Sequence, residues 1–233
     1  MADDNKKRLV WDKTGERFYE TGVDRGVLYV ASNSGYGAGV AWNGLTAINE
    51  KPGGAESNKK YADNIQYLNL ISAEEFDGTI EAYTYPGEWR ACDGFATHAS
   101  AKGLVVSLQG RKMFGLAYRT RKGNDVDGSD HGYQIHLVYG AQASPSEKNY
   151  ETINDSPDAI TFSWDFSTTP VNMTGFKPTA HLIIESTTAD ADKLAALEEV
   201  LYGKDPTSGD AADGVAPRLP MPDEVVTILT SAA

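Results

Sequence analysis

A single cysteine, Cys92, occurs in 233 residues, which excludes an intrachain disulfide and any zinc cluster built on paired thiolates. The fold must hold by packing alone. Positive charge is also scarce: 21 Lys and Arg stand against 33 Asp and Glu, a formal net charge of -12. That sign argues against a protein that reads nucleic-acid sequence through a basic face, although an acidic wall suits a polyanion that must slide past without sticking. No run of about 20 apolar residues suits a membrane helix, and MADDNKKRLVWDK lacks the charged-then-apolar order of a secretion signal. Synthesis and folding in a cytosol are expected, with no membrane partner.

Catalytic spacing patterns are missing too. HExxH, GxSxG, the phosphate-binding GxxxxGK[ST] loop and paired cysteine ligands do not occur. The stretch GNDVDGSD imitates part of a calcium loop through Asp125, Asp127 and Gly128. With Gly128 as the turn glycine, however, the first ligand position falls on Gly123 and the twelfth on Gln134, so a polar hairpin turn is expected. Gly35, Gly37 and Gly39 lack GxGxxG spacing and no helix follows them, which favours turn or subunit-contact glycines. His98, His131, His136 and His181 share neither a helical face nor ligand spacing and are read as surface or interface residues. Glu74, Glu75, Asp77 and Glu81 are read as a solvated face. No catalytic residue, metal ligand or cofactor-binding residue is assigned.

What the chain does contain is strands. Across residues 112–170, Phe114, Leu116 and Tyr118 alternate with Gly115, Ala117 and Arg119. Tyr133, Ile135, Leu137 and Tyr139 alternate with Gln134, His136 and Val138, and Ile160, Phe162, Trp164 and Phe166 with Thr161, Ser163, Asp165 and Ser167. This two-residue period predicts strands with one greasy face and one small or polar face, the second available as a channel wall or subunit seam. Trp164 is expected in the core. Further strands are predicted at 26–31, 45–50, 61–70, 76–85, 103–109 and 177–186.

Between two of them KPGGAESNKK reads as a projecting loop, with a solvated hairpin tip as the equal alternative. One helix is predicted at 190–202: Leu194, Leu197 and Leu201 recur on one face, Asp190 is a candidate N-cap, and Gly203 with Pro206 gives a stop. Residues 205–222 are rich in Pro, Gly and Asp, and VVTIL then predicts a last short strand. The tail folds back on its own body or lies on a neighbouring subunit, and the residues leave both open. Residues 1–6 are polar and expected to be loose.

Long blocks in consistent order carry a resemblance: WDKTGERFYETGVDRGVLY, YADNIQYLNLISAEEFDGTIEAYTYPGEW, FGLAYRTRKGNDVDGSDHGYQIHLVYGAQASPSEK, INDSPDAITFSWDFSTTPV, and LAALEEVLYG followed by PRLPMPDEVV. The chain resembles the major tail protein of long, non-contractile-tailed bacteriophages of Gram-positive bacteria. That resemblance implies a mainly β fold of two packed β-sheets with one flanking α-helix over residues 1–204, followed by the 205–233 extension. It implies hexameric rings that stack into a tail tube, a virion component made in the host cytoplasm, without catalysis or cofactor. Partners would be copies of the chain itself, the tape-measure protein, tail terminator or tip proteins, and DNA that passes without specific binding.

The family's inter-ring loop would match Lys51, Pro52, Gly53, Gly54, Ala55, Glu56, Ser57 and Asn58. Asp63, Gln66 and Glu81 are candidates to face the lumen, where acidic or uncharged groups would repel phosphate. Arg119 and Arg121 stand against that mechanism if they line a channel. The alternatives are a monomeric ligand-binding β-sandwich, such as a carbohydrate-binding module with Tyr83, Tyr85 and Trp89 as a platform, and a hydrolase using converging carboxylates.

Overall fold

A computed structural model describes residues 8–33, 35–153, 155, 158–207 and 214–231. The polar segment 1–6 lies outside them. In chain order the strands are β1 (Tyr19–Ser32), β2 (Gly35–Tyr36), β3 (Val40–Trp42), β4 (Leu45–Gly54), β5 (Ser57–Ala62), β6 (Ile65–Ile71) and β7 (Glu74–Ala82). A one-turn helix α1 (Trp89–Cys92) follows, then β8 (Ala96–Thr97), β9 (Val105–Val106), β10 (Phe114–Asn124), β11 (Gly128–Ala143), β12 (Phe162–Thr168) and β13 (His181–Glu185). Helices α2 (Ala191–Tyr202) and α3 (Pro222–Thr230) close the chain.

Nine strands join in one antiparallel sheet, ordered β2-β1-β10-β11-β12-β7-β4, with β3 added on β1 and β13 on β11. The 16-residue β11 organises it. Its Gln134–Val138 stretch pairs with β13, and its Ala141–Ala143 end pairs with β12. The sheet thus divides along one strand into two layers: β1, β10 and β13 on one side, β12, β7 and β4 on the other.

Their inner faces meet. Leu28, Phe114, Leu116, Tyr118 and Val138 pack against Ile80, Ala82, Trp164 and Phe166, with Trp42 and Trp89 between. The three indoles lie 4.7 to 5.8 Å apart, centroid to centroid, in tilted and edge-on contacts that suit the aromatic quadrupole. Trp164 is fully buried, as its alternation with Asp165 predicts.

The opposite face of the first layer is covered as well. Val27, Tyr29, Ala117, Ile135, Leu137 and Tyr139 lie under Leu194, Leu197 and Leu201 of α2, with Leu219 and Val225 beyond. Helix α2 begins where predicted: the Asp190 carboxylate accepts from the backbone N–H groups of Asp192 and Lys193, satisfying donors that the first turn cannot pair internally. The centres of β10 and β11 are therefore buried on both faces, which corrects the expectation of a polar wall there. Gly115 and Ala117 are small because covering side chains press on them; a Cβ at Gly115 would sit 2.3 Å from a Leu219 methyl group.

The tail answers the choice left open by the sequence. It folds back on its own body, bridging Lys204 to Val215, and the Gly39 and Arg218 amides bond Pro217 and Val200 carbonyls. The buried Tyr139 hydroxyl donates to the Pro220 carbonyl at 2.9 Å. VVTIL is not a strand but part of α3. Its β-branched residues imitate a strand, yet Pro222 in the first turn followed by Asp223 and Glu224 starts a helix, with acidic groups at the positive end of the helix dipole.

Because Leu197 is fully buried between α2 and the sheet, Leu197→Ala is expected to cost about 2–5 kcal/mol in denaturant unfolding. A loss under about 1 kcal/mol would show that α2 does not cap the sheet.

Candidate functional site

Pairing between β4 and β7 continues outward to Gly54 opposite Glu74. Beyond it the chain kinks. Ala55 takes a positive φ of 51°, the Glu56 amide bonds the Ser72 hydroxyl, and the Ser72 amide returns to the Glu56 carbonyl. A second hairpin then extends the first: β5 pairs with β6 and the chain reverses at Asp63 and Asn64, with φ of 51° and 62°. Positive φ at both central residues defines the two-residue turn that matches strand twist, and Asp and Asn tolerate it better than most residues.

Every residue of β5 and β6 is exposed. Tyr61, Ile65, Tyr67 and Ile71 each keep more than 60% of their surface, and Leu68 and Leu70 are exposed too. Register leaves Tyr67 unpaired at a bulge and places Ile65, Leu68 and Leu70 on one face and Tyr61 and Ile71 on the other. An isolated two-stranded ribbon is marginal in water, and this one presents apolar side chains on both faces. This ribbon, from Ser57 to Ile71, forms an arm beyond the body.

The arm relocates several expected residues. Lys51, Pro52, Gly53 and Gly54 are strand, paired with Asp77, Phe76, Glu75 and Glu74, and not loop. Pro and Gly misled because β4 is an edge strand, where a missing N–H costs no ladder bond. Ala55 and Glu56 form the kink, Ser57 and Asn58 open β5, and the reversal comes at Asp63. Asp63 and Gln66 therefore sit on the arm. Glu81 lies on the body, on the outward face of β7, where its carboxylate accepts from the Asn49 amide at 3.0 Å. The structure does not gather these three on one surface.

Outward positions of β4, β7 and β12 instead form a polar face carrying Asn49, Lys51, Asp77, Glu81, Ser163, Asp165 and Ser167. Asp165 accepts from Thr79 and from Lys51, at 2.5 and 3.0 Å, and both bonds hold its carboxyl below the usual range. Arg119 and Arg121 are elsewhere, on β10. Both bond Asp24, and Arg119 does so through two nitrogens at 2.6 and 2.8 Å. Their charge is matched locally.

Other expected groups resolve in the same way. Asp125 accepts from the Gly15 amide, while Asp127 turns to Asn124 and His131, so the 125–127 turn is a hairpin end whose carboxylates point to different partners. Trp89 is core and Tyr85 packs edge-on against Trp164 and Phe162, leaving Tyr83 as the exposed member of the expected aromatic platform.

The reading of His136 and His181 as surface residues is overturned. Both lie on the inward face of β11 and β13, at the arm's root, with side chains 5% and 12% exposed. Glu50 reaches them from β4 in the other layer. Its Oε1 accepts from the Tyr118 hydroxyl at 2.6 Å and lies 3.3 Å from His136 Nδ1. Hydrogen bonding to His136 and then Tyr118 holds the Glu50 carboxyl at about 2, whereas burial pushes His181 down to about 4. The missed signal is parity: Glu50 shares its face with Ile48, two positions away, which packs against the core.

Comparison with known proteins adds little here. No family model matches the chain and no curated protein matches it. Among solved structures it is similar to the sheath/tube terminator of an extracellular contractile injection system, PVC, in the extended state, with a TM-score of 0.34 and 8% identity over 76% of this chain and 99% of that one. A likeness at that level carries no functional argument.

Hydrogen bonds from Arg119 depress the Asp24 pKa, so Asp24 stabilises the fold above its unfolded value near 4, and that contribution is lost as pH falls through the lower native value. Asp24→Asn is expected to cost about 1–3 kcal/mol at pH 7. The gap between variant and parent should close as the pH is lowered below about 4. Urea unfolding across that range checks it, and a gap independent of pH would contradict the assignment.

Proposed function

We propose that this chain is a tail-tube subunit, which closes into hexameric rings and stacks ring on ring into a conduit for genome delivery. The observation that carries the reading is the arm, a ribbon with large apolar groups on both faces and no cover from its own chain among the described residues. A protein exposes such a surface at a cost in solubility, and burial against another copy removes that cost. The resemblance to phage major tail proteins supplies the ring and the tube.

In this reading the arm of one ring docks on the next, and the edge strand β4 pairs across a subunit seam so that ring closure leaves no free edge. The polar face around Glu81 and Asp165 is the lumen candidate, where carboxylates discourage phosphate from binding. The subunit has a structural role in the virion tail and performs no reaction, with tape-measure, terminator or tip proteins meeting the tube at its ends.

Replacing Ser57–Ile71 with a short glycine turn should leave unfolding nearly unchanged but abolish concentration-dependent assembly in sedimentation velocity. A variant that assembles like its parent would remove the arm from the stacking contact.

A further inference from the structure

We infer that Glu50, His136 and His181 form a binding site for a divalent transition-metal ion of the zinc class. The three ligand atoms, Glu50 Oε1, His136 Nδ1 and His181 Nε2, are separated by 3.1 Å between the two nitrogens and by 3.3 and 3.9 Å from each nitrogen to the oxygen. A tetrahedral zinc ion with bonds of about 2.0–2.1 Å needs ligand atoms about 3.3–3.4 Å apart. The observed triangle is already close to one face of that tetrahedron. Two imidazoles and one carboxylate form a known zinc donor set that leaves a fourth position for water, and Glu50 keeps 35% of its side chain exposed.

The surrounding groups hold the ligands in place. Tyr118 stacks on His136 with rings 4.6 Å apart and 4° from parallel, and Phe76 stacks on His181 at 4.4 Å. With Nδ1 committed to the ion, His136 Nε2 carries the proton and donates to the Thr120 hydroxyl, 3.0 Å away, as ligating histidines commonly do to an outer partner. Tyr118 donates to Glu50 and orients its carboxylate. Three atoms able to act as ligands, Glu50 Oε1, His136 Nδ1 and His181 Nε2, face one another here. A dication satisfies all three.

The site would join the two layers. Glu50 belongs to β4, the strand that runs into the arm, whereas the histidines belong to β11 and β13. A bound ion therefore fixes the root of the arm to the opposite layer.

The test is titration of the full-length, chelator-treated protein with Co2+ as a spectroscopic probe, followed by displacement with Zn2+. Visible absorption typical of low-symmetry cobalt should saturate at one equivalent and fall as zinc is added, and zinc should raise the unfolding temperature. Glu50→Gln, His136→Gln and His181→Gln should each weaken binding by about 100-fold or more, and Thr120→Val by about 10-fold. His98→Gln, on an exposed loop, should change nothing. No cobalt spectrum from the parent protein would overturn the site without recourse to variants, and so would stoichiometric binding that survives the three ligand substitutions.

Discussion

The structure depends on one strand being buried from both sides. β11 gives its inward side chains to the tryptophan-centred interior and its outward ones, Ile135, Leu137 and Tyr139, to the helices. Each fully buried large side chain contributes roughly 1.5–3 kcal/mol, so a strand that loads both faces anchors two cores at once. It also fixes the topology. Because β13 and β12 take successive stretches of the same β11 edge, the layers diverge from a common origin and need no second closing strand. The double burial explains why the fold can leave an entire hairpin unsupported.

That arrangement divides labour within the chain. Close packing lies in the body, while the arm exposes apolar groups on both faces and the outer face of β4, β7 and β12 is polar. The polar cluster of Glu50, Tyr118, His136 and His181 lies where these regions meet, since β4 carries the inward Glu50 and then continues into the arm. Glu50 keeps about a third of its side chain exposed while it accepts from Tyr118 and lies beside His136.

Much of the fold was legible in the sequence for simple reasons. Two-residue alternation located β10, β11, β12 and β13, and three leucines with an aspartate cap located α2. Failures follow one pattern: local signals do not report what tertiary packing adds. The greasy and small faces of β10 and β11 looked like core and wall, but a small face is also what a covering helix requires. Val225 and Val226 looked like strand because β-branching outweighed the Pro222 start signal. Pro52 to Gly54 looked like a loop because the edge position of β4 is a property of the sheet and not of the segment. His136, His181 and Glu50 lie far apart in sequence and meet through strand register. No spacing rule could join them. The loop that the phage resemblance would place at Lys51 to Asn58 is strand and kink, and the chain reverses only at Asp63 and Asn64.

The proposed role of the arm is docking on a second copy, so the decisive measurement is made on assembled material. Negative-stain and cryogenic electron microscopy of the purified full-length chain, concentrated stepwise, shows its end state directly. The account predicts sixfold rings that stack into tubes, with residues 57–71 buried between successive rings. A protein that stays monomeric at every concentration, and is absent from virion tails, would contradict it.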